Sequence, residues 1–180
     1  MMKKIIGIFM LIAGIVIAVA ASSASFAYFE ADRGVHIKVV PDDSEFIDLK
    51  PLQPYAYINE QGTLTVDIST NNGNYNASKG FGKGVSPDSI YVFEHMFGVS
   101  NHLWENTPIC VVITWSTSAF KLFNGTYTGS AGASPLKIIV QPGGMANIGM
   151  LINSTGLANC TSIDEDITIK AYADLSKCQP

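Results

Sequence analysis

Residues 55–69, Tyr55-Ala56-Tyr57-Ile58-Asn59-Glu60-Gln61-Gly62-Thr63-Leu64-Thr65-Val66-Asp67-Ile68-Ser69, read as two strands and the turn between them. Tyr55 to Asn59 and Thr63 to Ser69 flank Glu60-Gln61-Gly62, a hairpin signal. In the second arm Leu64, Val66 and Ile68 face one way while Thr65 and Asp67 face the other. That alternation is the mark of a strand with one face buried and one wet. The same alternation appears in Val35-Ile37-Val39 and in Ile167–Ala173, and Ile109–Trp115, Leu136–Gln141 and Ala146–Asn153 are further β-rich runs. Pro142-Gly143-Gly144 supplies a turn between two of them. Ser86-Pro87-Asp88-Ser89 resembles a helix cap with proline at the first helical position. Ile90, Phe93 and Phe97 then fall on one helical face, which predicts a turn or two of helix before a strand near Phe97–Asn101. About eight to ten short strands separated by Gly, Pro and Asn predict an all-β, jelly-roll-like sandwich.

In front of this domain stands a different composition. Seventeen positions, Ile5 to Ala21, carry no charge; they follow Lys3 and Lys4 and end in the small residues Ser22, Ser23, Ala24, Ser25 and Ala27. A basic start, an apolar middle and a small-residue exit describe a secretory signal peptide. Residues 1–27 are read as an N-terminal apolar signal helix, with cleavage before Tyr28 and a second candidate site after Ala24. Its length also touches the lower limit of a membrane span, so an uncleaved anchor is the competing reading. Residues 28–40 form an N-terminal strand and residues 41–180 the β-sandwich domain.

Removing residues 1–27 removes two Lys and no acid, which leaves nine basic and fifteen acidic residues and a net charge of −6. An acidic chain without a basic run is a poor match for nucleic acid, whose phosphates need clustered Lys and Arg. A domain of this size buries enough surface for a core without metal or disulfide support.

No motif for catalysis emerges. There is no nucleophile elbow of the G-x-S-x-G type. Asn71–Gly84 carries Gly80-Phe81-Gly82-Lys83-Gly84, but a phosphate loop needs Ser or Thr after its Lys and a helix beyond it. A surface loop is the reading. His36, His95 and His102 show no zinc spacing, and Glu94, His95, His102 and Glu105 are read as solvated side chains. Asp42-Asp43-Ser44-Glu45 and Asp164-Glu165-Asp166 lack the alternating ligands and glycine of a calcium loop and read as solvated turns. No cofactor or metal is expected, and the chain is not read as an enzyme.

Cys110, Cys160 and Cys178 are an odd set for an exported chain, where disulfides persist. Cys160 and Cys178 flank the Ile167–Ala173 strand, and a bridge between them is expected. Its 19-residue loop would contribute ~3 kcal/mol through chain entropy. Cys110, inside Ile109-Cys110-Val111-Val112-Ile113, is read as a free buried thiol. Asn76, Asn124, Asn153 and Asn159 each open an Asn-x-Ser/Thr sequon and are candidate glycan sites, hence surface positions.

The first residues after cleavage, Tyr28-Phe29-Glu30-Ala31-Asp32-Arg33-Gly34-Val35-His36-Ile37, begin with two aromatics. A free terminus ordinarily frays and is polar, whereas aromatic side chains gain by burial. They can find it in their own core or in a neighbouring copy. Strand addition to a neighbour's open edge combines main-chain hydrogen bonds with pockets for alternate side chains. Such a head-to-tail contact does not close on itself and propagates a filament. The residues alone leave both readings open.

The Ser25-Phe26-Ala27-Tyr28-Phe29 junction resembles the end of the signal peptide in TasA/camelysin-type secreted proteins. Ala31-Asp32-Arg33-Gly34-Val35-His36-Ile37-Lys38-Val39-Val40-Pro41-Asp42 is similar to small archaeal exported proteins, as is Pro87-Asp88-Ser89-Ile90 leading into Phe97-Gly98-Val99-Ser100-Asn101. The likeness runs loosely over the mature chain. It implies a jelly-roll subunit of extracellular filaments, of the archaeal bundling-pilus or biofilm-matrix kind, assembled by donor-strand complementation. Carried onto this chain, the donor is Tyr28 to Ile37, with Tyr28, Phe29, Ala31, Val35 and Ile37 as its inserted side chains. The resemblance implies a homopolymer, secreted to the cell surface, with lateral bundling of filaments. The chain is shorter than TasA and lacks its long insertions. Camelysin's association with protease activity finds no catalytic constellation here, and the basic-Gly junction of a type IV pilin is missing. The alternative is a monomeric or membrane-tethered cell-surface binding glycoprotein.

Overall fold

The computed structural model describes residues 6, 7, 10, 12, 13, 15, 38–42, 44–103, 105–158 and 161–179. The chain divides into two units, Met1–Lys38 and Val39–Pro180. Of the first, Ile6, Gly7, Met10, Ile12, Ala13 and Ile15 are helical. Among the described residues no helix is long and apolar enough to cross a membrane. The expected donor residues Tyr28, Phe29, Ala31, Val35 and Ile37 lie outside the described residues.

The second unit is all β, with two single 3₁₀ turns at Ala77–Lys79 and Leu175–Cys178. Its strands are β1 (Leu49–Pro51), β2 (Ala56–Ile58), β3 (Leu64–Val66), β4 (Ile90–Ser100), β5 (Ile109–Thr114), β6 (Phe120–Asn124), β7 (Leu136–Val140), β8 (Met145–Asn153) and β9 (Thr168–Tyr172). A four-stranded sheet runs β1-β4-β8-β6 and a three-stranded sheet runs β7-β5-β9, every pair antiparallel. β2 and β3 form a separate hairpin. Gly62, at φ 80°, turns it, as a left-handed position favours glycine.

The core lies between the two sheets. Phe97, Val99, Ile148, Leu122, Ile109, Val111 and Ile113 are all within 1% of complete burial. Leu64, Val66 and Ile68 of the hairpin pack on this core, so the stripe read from the sequence is its buried face. In the four-stranded sheet Gly149 leaves its outer surface open to the Phe123 ring, which lies where a Cβ would stand. Phe123 is thereby buried although it points away from the core layer, and its ring meets Tyr127 at 5.3 Å.

The helix expected after Ser86 is a strand. β4 begins at Ile90 and pairs with β8 along Ile90–Phe93 and again along Phe97–Ser100. Between Phe93 and Phe97 the register shifts, so a four-residue step on β4 opposes the two-residue step from Met150 to Ile148. This bulge gives the apolar residues helix-like spacing without a helix. His95 sits in it at φ 54°, with its Nδ1 buried and unpartnered among the described residues, so it is not the solvated side chain expected.

Candidate interaction edge

The two sheets end differently. On the four-stranded sheet, β1 is bonded from outside by the segment ahead of it, Leu49 N–H donating to the Asp42 carbonyl at 2.6 Å. At the other side of that sheet the Leu122 carbonyl of β6 accepts from the Gly132 N–H at 3.0 Å. On the three-stranded sheet, the Val140 carbonyl of β7 accepts from the Asn101 side-chain amide at 3.2 Å, and Lys137 Nζ donates to the Gln179 carbonyl at 2.7 Å. β9 pairs with β5 on one side and, among the described residues, with no strand on the other. An edge strand in this state offers a row of free N–H and C=O groups.

Register locates the side chains of β9. Ala171 stands opposite Val111 and Ile169 opposite Ile113, and both β5 partners are completely buried. Directly opposed residues of an antiparallel pair point to the same face, so Ile169 and Ala171 look inward. Yet Ala171 is exposed and Ile169 is half-buried. Ile167, one step earlier on the same face, is half-buried as well. Burial therefore falls off along the inner face from β5 to β9.

The facing part of the other sheet is the first half of β4. β7 lies against β6 and β8, so β9, on the far side of β5, faces toward β4. The Asn101 amide bonds the Thr107 carbonyl at 2.8 Å, which sets the Ser100 end of β4 beside the Ile109 end of β5. The Ile90 end consequently lies with Thr114 and Thr168, which are paired. There β1 does not reach, because it pairs only with Phe97, Gly98 and Val99. Tyr91 and Phe93 are half-buried and stacked at 6.2 Å, and Tyr55 meets Phe93 edge-on at 5.3 Å.

The opposite surface of the three-stranded sheet is covered at Cys110. Cys110 is bridged to Cys178, with Cα atoms 5.6 Å apart. The expected Cys160–Cys178 bridge is thus corrected: Cys178 pairs with Cys110, which is not a free thiol, and Cys160 lies outside the described residues. Cys110 points away from the core because its neighbours Ile109 and Val111 point into it, and the turn Leu175–Cys178 crosses it there. A bridge spanning 68 residues removes more chain entropy than the short loop expected, about 4 kcal/mol in the loop-closure account. Asp174 caps this turn; hydrogen bonds from the Ser176 hydroxyl and N–H favour its carboxylate and lower its pKa.

Charge gathers at two further places. Asp48, 8% exposed, has Oδ2 3.3 Å from His102 Nε2 and 3.4 Å from Lys50 Nζ. Glu45 nearby has its pKa raised, first by burial and then by the charges of Asp42 and Asp48. Ser116 donates to Glu165 through both its hydroxyl and its N–H, which fastens the acidic run 164–166 near the start of β9. The Tyr91 hydroxyl accepts from the Ser86 N–H at 3.1 Å, and bonding to Ser86 lowers its pKa. Among the described residues, no group of three His, Cys, Asp or Glu side chains is placed to hold a metal.

Three of the four sequons fall in the described residues. Asn124 and Asn153 are exposed at strand ends. Asn76 is half-buried and its side-chain oxygen accepts from the Ser78 N–H at 3.0 Å, capping the 3₁₀ turn. Asn153 likewise accepts from the Thr155 N–H at 3.0 Å. In both, the bond uses the oxygen and leaves the amide nitrogen, the glycan attachment atom, outside it. Asn159 is outside the described residues.

A family model described as a protein of unknown function, DUF1102, matches residues 39–176. No curated protein matches the chain.

Proposed function

We propose that this chain, which belongs to the DUF1102 family, is an exported structural subunit that polymerises head to tail, the strand Tyr28–Ile37 of one copy completing the sandwich of the next. The observation that carries the reading is the four-on-three sandwich whose smaller sheet stops at an uncapped strand, β9. A soluble domain ordinarily shields such an edge, because it templates association. Here an apolar alternating segment precedes the domain in the same chain, and strand addition satisfies both at once. In this reading the sandwich is jelly-roll-like: successive strands β4 and β5, and again β8 and β9, belong to different sheets.

The Cys110–Cys178 bridge supports export, because such bonds persist outside the reducing cytosol. The apolar segment from Ile5 to Ala21 supports the route. The product is a secreted filament at the cell surface, serving bundled pili or biofilm matrix, with a structural rather than catalytic role. Exposed Asn124 and Asn153 would carry glycans on the filament surface.

The test is electron microscopy of the secreted protein after N-terminal sequencing, intact and lacking Tyr28–Ile37. Filaments from the intact chain and soluble species from the shortened one are expected. Monodisperse monomers from an intact chain beginning at Tyr28 would leave the monomeric surface glycoprotein as the reading.

A further inference from the structure

Resting on the polymer reading above, we propose that the acceptor is the flank between β9 and the first half of β4, entered by residues 28–39 of a second copy running antiparallel to β9. Three observations converge on this flank. Of the edge strands of the two sheets, β9 has no outer hydrogen bond among the described residues, whereas β1, β6 and β7 each carry at least one. Its inward-facing residues are covered less than their neighbours: Ile167 and Ile169 pack on the core but stay half-buried and Ala171 is exposed, although the β5 residues opposite Ile169 and Ala171 are completely buried. Across from it, Tyr91 and Phe93 lie where β1 has ended; Tyr55 packs edge-on against Phe93, and both β4 residues stay half-buried, so apolar surface continues onto the second sheet.

The occupant is argued from pattern and charge. Val35, Ile37 and Val39 recur at every second position, as do Ile167, Ile169 and Ala171. Val39 is 93% exposed on its own domain, the highest value of any large apolar residue there. Its side chain is therefore free of its own domain. Antiparallel addition lets Val35, Ile37 and Val39 cover Ala171, Ile169 and Ile167 in that order. Direction follows from charge. The exposed carboxylates Asp164 and Asp166 stand just before Thr168, and Lys170 and Lys177 stand toward the far end. Antiparallel entry brings Lys38 to the acidic end, while parallel entry would set it among the lysines.

Ala171→Arg tests the assignment. The residue is exposed, so the large side chain is tolerated by the isolated domain but fills the flank. Thr168→Arg, on the outward face of the same strand, is the control. As a second measurement, a synthetic peptide of residues 28–39 is titrated into a chain lacking residues 1–37, which keeps the whole Val39–Pro180 unit, with backbone amides followed by NMR. The expected result is loss of filaments in Ala171→Arg at an unchanged melting temperature, filaments in Thr168→Arg, and peptide-induced shifts concentrated at Thr168–Tyr172. Filaments from a folded Ala171→Arg, or peptide shifts centred on β6 or β7, overturn the acceptor and leave the polymer reading standing. A parent chain that stays monomeric with its own residues 28–37 protected from protease overturns both.

Discussion

β5 and β9 are hydrogen-bonded neighbours in one sheet, one a continuous apolar run and the other alternating, and they differ in how far they are covered. Along β5, Ile109, Val111 and Ile113 are sealed by the facing sheet, and Cys110 on the other surface is sealed by the C-terminal turn bonded to it. Along β9, Ile169 is half-buried and Ala171 is open, although they stand opposite those sealed residues. What differs is both the residues, apolar on each face of β5 and polar on one face of β9, and the number of neighbours each strand has. A central strand has a partner on each side and cover on each face. An edge strand has one partner, and here its inner cover is incomplete, so the free energy of burying Ile169 and Ala171 remains available for association.

The sharpest way to break this contrast is to remove what closes β5 from outside. Cys178→Ser opens a bridge that restrains a 68-residue separation, and the expected cost is about 4 kcal/mol, read as a lower urea midpoint. Cys160→Ser should leave the midpoint at its parent value. Equal losses from both substitutions would mean that the pairing is not the one described.

A smaller effect compares the two strands residue for residue. Ile113→Ala empties a fully buried position and should cost about 3 kcal/mol. Ile169→Ala, its cross-strand partner, removes side-chain atoms that are already half in water and should cost about 1 kcal/mol. Urea titration of both gives the ratio. Similar values for the two would show β9 to be as well covered as β5. If a second copy's strand fills the flank in filaments, the Ile169→Ala penalty there should rise toward that of Ile113→Ala.

The alternation that marks β3, β7, β8 and β9 is visible in the sequence because each has one face on the core. Where the structure departs from simple alternation, the reading failed for identifiable reasons. The bulge at Glu94–Met96 gave Ile90, Phe93 and Phe97 the spacing of a helix, and the Ser86-Pro87-Asp88-Ser89 turn imitated its cap. β6 shows no clean alternation because Leu122 and Phe123 are adjacent apolar residues; the second is buried on the outer face because Gly149 makes room for its ring. β1 is three residues long and ends in Pro51, so it carries almost no signal. The Cys110–Cys178 pairing depends on sheet order, since β5 lies between β7 and β9 and the tail crosses it. Separation along the chain favoured Cys160 instead. The uncapped edge has the same origin: nothing in Thr168–Tyr172 announces that its outer side is left without a partner.

The smallest expected effect asks whether the closed outer face and the open edge are independent. Asp174 holds the Leu175–Cys178 turn through hydrogen bonds with Ser176, and these keep its pKa below the ordinary 3.8. A carboxylate whose folded pKa is depressed adds stability that is complete above its unfolded value and is lost as pH falls through the folded one. Asp174→Ala should therefore speed amide exchange at Ser176 and Lys177 near neutral pH, while the difference from the parent fades as pH falls through the lowered pKa of Asp174. The disulfide keeps the turn tethered, so global stability should change little. The decisive amides are those of Thr168–Tyr172. If they keep their parent rates while the turn loosens, β9 owes its order to β5 alone, and the flank is free to accept a strand without disturbing the tail. If they quicken together with the turn, the tail is propping the edge, and the two faces of the sheet cannot be treated as separate.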